Sequence, residues 1–224
     1  MIEKFTEKNP KWFYLINENS ELKILEENYA VILEELSQLT QNSKKGFWHI
    51  NYPNYVKSKL HNNWKAFSFQ FFGIKNTFNC SVCPNTASIL NKIPGIISAD
   101  FSYLPPHTHI TPHTGFTKMI LRVHLGLIVP KDCGIRVGND TRHWEKGKLL
   151  IFDDSFEHEA WNNSDEDRYI LMIDIPNPLW GYTAKEISSY KIKNLTDEYM
   201  LSLFPKEKWL EFLDKGEFDI SDSN

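Results

Sequence analysis

The sequence is short of the features that mark membrane-bound, secreted and nucleic-acid-binding proteins. Its 224 residues contain no apolar run long enough to span a bilayer, and the first residues lack the apolar segment of a signal peptide. No block of basic residues occurs and the formal net charge is −4, so no nucleic-acid partner is expected. These absences predict a cytoplasmic protein without a membrane partner.

Cysteine is also scarce, with three residues in the chain: Cys80, Cys83 and Cys133. A small, odd number argues against a disulfide framework. Cys80 and Cys83 form a CxxC pair, which alone could be redox-active or half of a zinc site. Because no second CxxC and no βαβ pattern accompany it, we expect reduced thiols without a catalytic role.

What is present is the composition of a packed globular chain. Hydrophobic residues make up 41% of the sequence, which excludes a disordered protein, and 224 residues suit one domain. No repeat, linker or low-complexity segment divides the chain. We therefore expect a single domain over 1–224, with an N-terminal arm and helix (1–63), a core (64–180), and C-terminal helices with a frayed tail (181–224).

Helical patterns flank the centre of the chain. From Glu21 to Leu39 apolar residues recur at spacings of three and four, which predicts an amphipathic helix. Near the C terminus Thr183 and Glu186 have the capping-box spacing, and Thr196 is a second candidate cap. Pro205 can open a further helix through Leu213.

The centre of the chain consists of short β-type runs separated by glycine, proline, asparagine and aspartate. Trp64 to Gly73 and Met119 to Val129 alternate strictly, as half-buried strands do. The other runs are Ile96–Leu104, Ile135–Val137, Leu149–Phe152 and Tyr169–Ile175. Many short strands with even turn spacing predict a mainly β fold, a jelly roll or a barrel.

The run from Met119 to Val129 carries an unusual pair of side chains. Arg122 and His124 lie two residues apart, and so on one face of an otherwise apolar strand. Burying a charge without a partner is costly, so a plain core strand would have valine or isoleucine there. The pattern predicts a barrel interior that holds an anionic ligand.

Histidine is concentrated in one part of the chain. Six of the eight histidines lie between residues 102 and 168: His107, His109, His113, His124, His143 and His158. Neutral imidazole is the commonest protein ligand for transition metals, so this concentration raises a metal-site hypothesis. For His107, His109 and His143 we favour surface or turn positions over ligation.

For His113 and His158 we favour ligation, because the segments around them resemble a known family. The segments PHTGFTKMILRVHLGLIVP, GKLLIFDDSFEHEAWN and DRYILMIDIPNP are similar to the aspartyl/asparaginyl β-hydroxylases, strongly over about 102–178 and more weakly back to Trp64. The resemblance implies a double-stranded β-helix, a jelly-roll relative of the cupins, here with flanking N- and C-terminal α-helices. It also implies Fe(II) as cofactor, with 2-oxoglutarate and O2 as co-substrates.

The resemblance assigns roles to individual residues. His113 and His158 become the iron ligands, and Gly115 stands where related oxygenases have a ligating carboxylate, so water is implied in the vacant place. A carboxylate introduced at position 115 is accordingly predicted to join the metal. Arg168 would clamp the distal carboxylate of 2-oxoglutarate, because its planar fork pairs with a carboxylate bidentately. Ser102, Arg122, His124 and Trp64 match further co-substrate positions.

Alternatives remain open at each point. Asp154 or Glu157 could supply a third ligand, and Arg168 could instead pair with Asp165 or Glu166. Chloride in the vacant place would make the chain a halogenase, and a non-catalytic cupin-like module would bind metal or ligand without turnover. The presence of His113, His158 and Arg168 together favours a dioxygenase that hydroxylates an unactivated carbon. The predicted target is the β-carbon of an aspartyl- or asparaginyl-like amino acid or peptide residue, so the expected partner is a small molecule or a peptide.

Overall fold

The computed structural model describes residues 11–15, 20–41, 48–58 and 63–219. The strands are β1 (Phe13–Tyr14), β2 (Trp48–Ile50), β3 (Val56–Ser58), β4 (Lys65–Phe71), β5 (Ile74–Asn76), β6 (Ser98–Leu104), β7 (Thr108–His113), β8 (Ile120–Ile128), β9 (Cys133–Val137), β10 (Asp140–Arg142), β11 (Leu149–Phe152), β12 (His158–Asn162), β13 (Arg168–Pro176) and β14 (Glu217–Phe218). The helices are α1 (Lys23–Glu27), α2 (Tyr29–Gln41), α3 (Thr77–Val82), α4 (Pro84–Leu90), α5 (Ala184–Lys193), α6 (Glu198–Leu203) and α7 (Lys206–Lys215).

Two sheets form the centre of the fold. The larger has the order β1-β11-β8-β13-β6-β4-β5-β14, with β2 also paired to β4, and the smaller has the order β10-β9-β12-β7-β3. From β6 to β13 the chain alternates between the sheets, apart from the β9–β10 hairpin. Apart from the parallel pair of β14 with β5, the strands pair antiparallel. This alternation gives a mainly β jelly roll with flanking helices and confirms the predicted fold class.

The alternation within strands divides the core into layers. The apolar face of β8 packs with the N-terminal helices in one cluster, which includes Leu121, Val123, Leu125 and Leu127. The other face of the large sheet packs against the small sheet in a second cluster, which joins Phe152 and Ile170 to Ile110 and Ile135. Arg122 and His124 lie on that inner side, as the alternation predicts. The interior between the sheets is therefore where polar side chains meet.

The N-terminal region departs from its prediction in two places. The expected helix over Glu21–Leu39 is two helices, because Asn28 donates its side-chain amide to the carbonyl of Ile24 at 2.7 Å and ends α1. Part of the expected irregular arm is a strand, since Phe13 and Tyr14 pair with β11. The terminal segments thus contribute to the large sheet as well as to the flanking helices.

The C-terminal predictions are partly correct. Thr183 and Glu186 form a complete capping box at the start of α5. Thr196 as a cap is wrong: the side chain of Asp197 accepts from the backbone N–H of Met200 and caps α6. The frayed tail is wrong for Glu217–Phe218, which form β14, while 220–224 lie outside the described residues.

Two further expectations concern the whole chain. Within the ranges described, no helix is long and apolar enough to cross a membrane. All three cysteines fall in those ranges, and they are thiols that form no disulfide.

Candidate active site

His113 and His158 are brought together by the pairing of β7 with β12. The register places His158 directly opposite His113, and their ring centroids are 4.2 Å apart. Forty-five residues separate the two histidines in the sequence, so only the sheet makes them neighbours. His158 is buried, and Tyr55 stacks on the ring of His113 at 4.6 Å between centroids.

The two imidazoles are oriented in the same way. Nδ1 of His113 is 2.7 Å from the carbonyl of Thr111, and Nδ1 of His158 is 3.0 Å from the carbonyl of Phe156. A backbone carbonyl can only accept, so each Nδ1 carries the proton and each Nε2 keeps its lone pair. Burial lowers the pKa of His113, and burial together with His113 lowers the pKa of His158 to about 3. Two neutral, oriented imidazoles fit a divalent transition metal.

Carboxylates do not complete a triad around these histidines. Among the described residues no group of three or more histidines, cysteines, aspartates or glutamates could hold a metal ion. Glu157 is exposed and bonds Arg136 at 3.0 Å, and Asp154 Oδ2 lies 3.2 Å from Arg122. The structure therefore gives no support to Asp154 or Glu157 as a third ligand, and the two-histidine assignment stays a prediction.

Gly115 adjoins Asp154, which changes one expectation. The N–H of Gly115 donates to the backbone carbonyl of Asp154 at 2.7 Å, and a Cβ at position 115 would overlap the Asp154 carboxylate. The expectation that a new carboxylate at 115 would join the metal stays a prediction, and it requires the Asp154 side chain to move. The space beside Gly115 already holds an acidic side chain.

Arg168 is a buried cation without an anionic partner among the described residues. Its side chain is 1% exposed, and its Nη1 makes only long contacts of 3.4 Å, with the carbonyl and the hydroxyl of Ser102. Its Nε has no hydrogen-bond partner in the segments that the structure describes, and the guanidinium lies 5.0 Å from the ring centroid of Trp144. Burial lowers the pKa of Arg168 to about 10, so it still carries its charge at neutral pH. The alternative pairing with Asp165 or Glu166 is not seen.

His124 is held as a hydrogen-bond donor toward the same interior. Trp144 Nε1 donates to His124 Nδ1 at 3.1 Å, which places the imidazole proton on Nε2. That Nε2 is buried and has no partner among the described residues. Burial, with Arg122 and Arg168 nearby, holds the pKa of His124 well below its usual value. Ser102, for its part, accepts from Trp64 Nε1 at 2.8 Å.

These orphaned groups fit a ligand that carries a carboxylate. Arg168 Nε and His124 Nε2 are buried donors without acceptors among the described residues, and a buried unsatisfied donor costs about 1–3 kcal/mol. An anionic guest would supply the missing acceptors. The structure thus brings Arg168, Ser102, His124 and Trp64 into one interior, while their contact with 2-oxoglutarate stays a prediction.

Arg122 is in a different situation, because its charge is already balanced. Its Nε donates to Asp174 Oδ1 at 2.9 Å and its Nη2 to Asp174 Oδ2 at 3.1 Å, and Asp154 lies on the same guanidinium. Asp174 is its cross-strand partner on β13. The sequence placed this arginine correctly on the inner face but missed the carboxylate opposite it. A co-substrate contact by Arg122 stays a prediction.

A cavity of about 330 Å³ opens beside the histidine pair. It is lined by His113, Gly115, Trp64 and Arg122 among others, whereas Ser102, His124, His158 and Arg168 do not line it. The buried donors therefore lie behind the cavity wall. Sequence reasoning missed the lining residues Asp100, Asp174, Tyr52 and Tyr55, although charged residues inside the apolar runs of β6 and β13 were a usable signal.

The other three histidines lie elsewhere. His107 Nε2 is 2.8 Å from Asp165, His109 Nε2 is 2.8 Å from Glu159, and His143 Nδ1 is 2.7 Å from the carbonyl of Cys133. His107 and His143 are exposed and His109 is half-buried. The predicted surface or turn position is confirmed for His107 and His143, whereas His109 lies within strand β7 and is half-buried.

Comparison with known proteins identifies the chain's relatives. The family model of aspartyl/asparaginyl beta-hydroxylase matches residues 26–178. An ornithine lipid ester-linked acyl 2-hydroxylase of Rhizobium tropici is 42% identical over 161 residues, which are 69% of this chain and 57% of that protein. The aspartyl/asparaginyl beta-hydroxylase of Mus musculus is 37% identical over 163 residues, which are 70% of this chain and 22% of that protein.

The matched segments are thus only part of the relatives, about three fifths of the first and one fifth of the second. Among solved structures, an oxidoreductase of the 2OG-Fe(II) oxygenase family from Burkholderia pseudomallei aligns with a TM-score of 0.43 at 11% identity, over 63% of this chain and 79% of that one. Since the family model covers more than half of the sequence, including both histidines and Arg168, the chain belongs to the aspartyl/asparaginyl beta-hydroxylase family.

Proposed function

We propose that this protein is an iron(II)- and 2-oxoglutarate-dependent dioxygenase that hydroxylates an unactivated carbon. The observation that carries the proposal is the buried Arg168, a charged group with no anionic partner among the described residues, in the interior that also holds the paired histidines. A buried unpaired charge is expensive, so it requires a guest of opposite charge. The distal carboxylate of 2-oxoglutarate is such a guest.

Each residue then has a separate task. His113 and His158 would hold the iron through their Nε2 atoms, because both Nδ1 atoms face backbone carbonyls. Arg168 would bind the distal carboxylate, with His124 Nε2 as a further donor nearby. The bound iron and its co-substrate supply the oxidation, and the protein supplies position and electrostatics.

The names of the two relatives suggest which carbon reacts. One acts on carbon 2 of an ester-linked acyl group and the other on the β-carbon of aspartyl or asparaginyl residues. Both carbons are methylenes next to a carbonyl carbon. We propose the same kind of target here, with the β-carbon of an aspartyl- or asparaginyl-like amino acid or peptide residue as the specific candidate.

The test is formation of succinate from 2-oxoglutarate by the iron-loaded protein, with and without added acceptors. Arg168→Lys keeps the charge but loses the bidentate fork, so the apparent affinity for 2-oxoglutarate should fall about tenfold or more. Arg142→Lys, in an exposed ion pair with Asp140, is the matched control and should change nothing. If no iron-dependent succinate forms, the dioxygenase proposal fails and a non-catalytic binding module is favoured. Chlorinated product in chloride buffer would indicate a halogenase.

A further inference from the structure

The cavity beside the histidine pair is lined by more carboxylates than cations. Four aspartates and two basic residues contribute to its wall: Asp100, Asp154, Asp174, Asp197, Arg122 and Lys191. Both cations are already engaged, because Arg122 bonds Asp174 and Asp154, and Lys191 Nζ lies 2.9 Å from Asp197. A substrate carboxylate would find no uncompensated cation among the described lining residues.

Asp100 is a carboxylate of this wall that forms no ion pair with a described residue. It projects from β6, is 6% exposed, and accepts from the hydroxyl of Ser68 on the neighbouring strand β4. No lysine, arginine or histidine of the described chain lies within ion-pair distance of it. Burial raises the pKa of Asp100 to about 7, and the neighbouring Asp174 adds to this rise, while the hydrogen bond from Ser68 and the charge of Arg122 oppose it.

A second, independent feature also points to a cation. Asp154 is 2% exposed and lines the same cavity, and its Oδ1 has no hydrogen-bond partner in the described part of the chain. This acceptor is buried and unsatisfied, so the cavity offers free acceptor capacity beyond Asp100. A hydrogen-bond donor of the guest would satisfy it, and a charged ammonium is the strongest such donor.

The remaining wall suits the same guest. Aromatic side chains line the cavity: Tyr52, Tyr55, Trp64, Phe71, Phe72 and Phe116. Aromatic faces attract ammonium groups, and the chain's own Lys191 shows this, with Nζ 4.4 Å from the ring centroid of Phe116. Carboxylates with aromatic faces are a usual environment for an amine.

We propose that the acceptor substrate carries a positively charged ammonium group, which is bound by Asp100 and the aromatic wall of this cavity. The identification of the cavity as the acceptor site rests on the proposed dioxygenase function. The charge of the guest rests on the cavity alone. The substrate class is therefore a carbonyl compound with an amine, which favours an asparaginyl-like amino acid over the aspartyl-like alternative of the proposed function.

Three amides of one chain length test the charge preference: 5-aminopentanamide (ammonium), glutaramate (carboxylate) and glutaramide (neutral). Each has a methylene next to a carbonyl carbon. Their dissociation constants would be measured by titration calorimetry on the 224-residue protein, loaded with Zn(II), at a saturating concentration of 2-oxoglutarate. The ammonium probe should bind at least tenfold more tightly than the other two. Equal or tighter binding of glutaramate or glutaramide overturns the proposal, and this comparison needs no variant.

The variant Asp100→Asn tests whether Asp100 is the residue that binds the ammonium group. The variant should lose about tenfold in affinity for 5-aminopentanamide and keep its affinity for glutaramide. Asp214→Asn, at an exposed position of α7, is the matched control and should bind all three probes as the unaltered protein does. An unchanged ammonium affinity in Asp100→Asn overturns the role of Asp100.

Different results would overturn the dioxygenase proposal and the proposal of an ammonium-bearing substrate. Iron-dependent succinate without ammonium preference supports the dioxygenase and overturns only the substrate class. Ammonium preference without succinate supports the cavity's selectivity and overturns the dioxygenase.

Discussion

Two buried charges of opposite sign lie on the inner face of the large sheet, and neither has an ion-pair partner among the described residues. Arg168 lies opposite Leu104 in the pairing of β13 with β6, and Asp100 lies opposite Met172, four positions further along β13. Each costs folding stability, because removing a charge from water is unfavourable unless a partner compensates for it. Such uncompensated charges are expected at ligand sites and are rare in a purely structural core.

The pKa of Asp100 gives a test of that cost. The folded pKa is about 7 against 3.8 for the unperturbed group, so between these values the folded protein holds a proton that the unfolded chain has released. The free energy of unfolding therefore falls as pH rises through this window, by up to about 4 kcal/mol at about 1.4 kcal/mol per pKa unit. Asp100→Asn removes the penalty, so the variant should be the more stable protein at pH 8, with a smaller advantage at pH 5.

Denaturant unfolding of the metal-free protein at the two pH values would measure this difference. Asp214→Asn serves again as the exposed control and should show no dependence of its effect on pH. If Asp100→Asn is less stable than the unaltered protein at pH 8, Asp100 has a compensating partner and is structural.

Gly115 gives a second test at the level of single residues. Because a Cβ there would overlap the Asp154 carboxylate, Gly115→Asp should be destabilised by about 1–3 kcal/mol, as overpacked sites are. The double variant Gly115→Asp/Asp154→Gly moves the carboxylate from one side of the gap to the other and should recover part of the loss. Thermal unfolding of the three proteins would show it. A double variant no more stable than Gly115→Asp would mean that the two residues do not share this space.

At the scale of elements, local patterns were predictable and pairings were not. The strand β8 could be read from its alternation, since alternation belongs to one segment. The ion pair between Arg122 of β8 and Asp174 could not be predicted, because the two residues are 52 positions apart and meet only through the register of β8 with β13. The same holds for His113 and His158, whose proximity depends on the pairing of β7 with β12. The roles of both came from family resemblance.

Helix α5 offers a prediction at this scale. Thr183 accepts from the backbone N–H of Glu186 at 3.2 Å, and Glu186 accepts in return from the N–H of Thr183 at 2.8 Å. Thr183→Ala should lower the free energy of unfolding by about 1 kcal/mol. Thr196→Ala, a threonine that precedes α6 without capping it, is the matched control and should be nearly neutral in the same denaturant titration. Equal losses from both would contradict the assignment of the caps.

At the scale of the whole molecule, part of the cavity wall lies inside the range matched by the family model and part lies outside it. The match ends at residue 178, yet Lys191, Asn194, Thr196 and Asp197 line the cavity from α5 and the loop that follows it. The proposed metal and co-substrate positions lie within the match. The sequence therefore allowed the core chemistry to be predicted by resemblance, while the wall contributed by the C-terminal helices required the structure.

We therefore expect the C-terminal part of the cavity wall to affect the affinity for the acceptor substrate and not the affinity for 2-oxoglutarate. Lys191→Met keeps an unbranched side chain against Phe116 but removes the cation that Asp197 now binds. With one positive charge fewer and one carboxylate released, the affinity for 5-aminopentanamide should rise several-fold. The affinity for 2-oxoglutarate should stay within about twofold, because Arg168 lies behind the cavity wall. Lys208→Met, in an exposed pair with Glu211 on α7, is the control and should alter neither affinity. Weaker ammonium binding in Lys191→Met would show that Lys191 orders the wall and does not compete with the substrate.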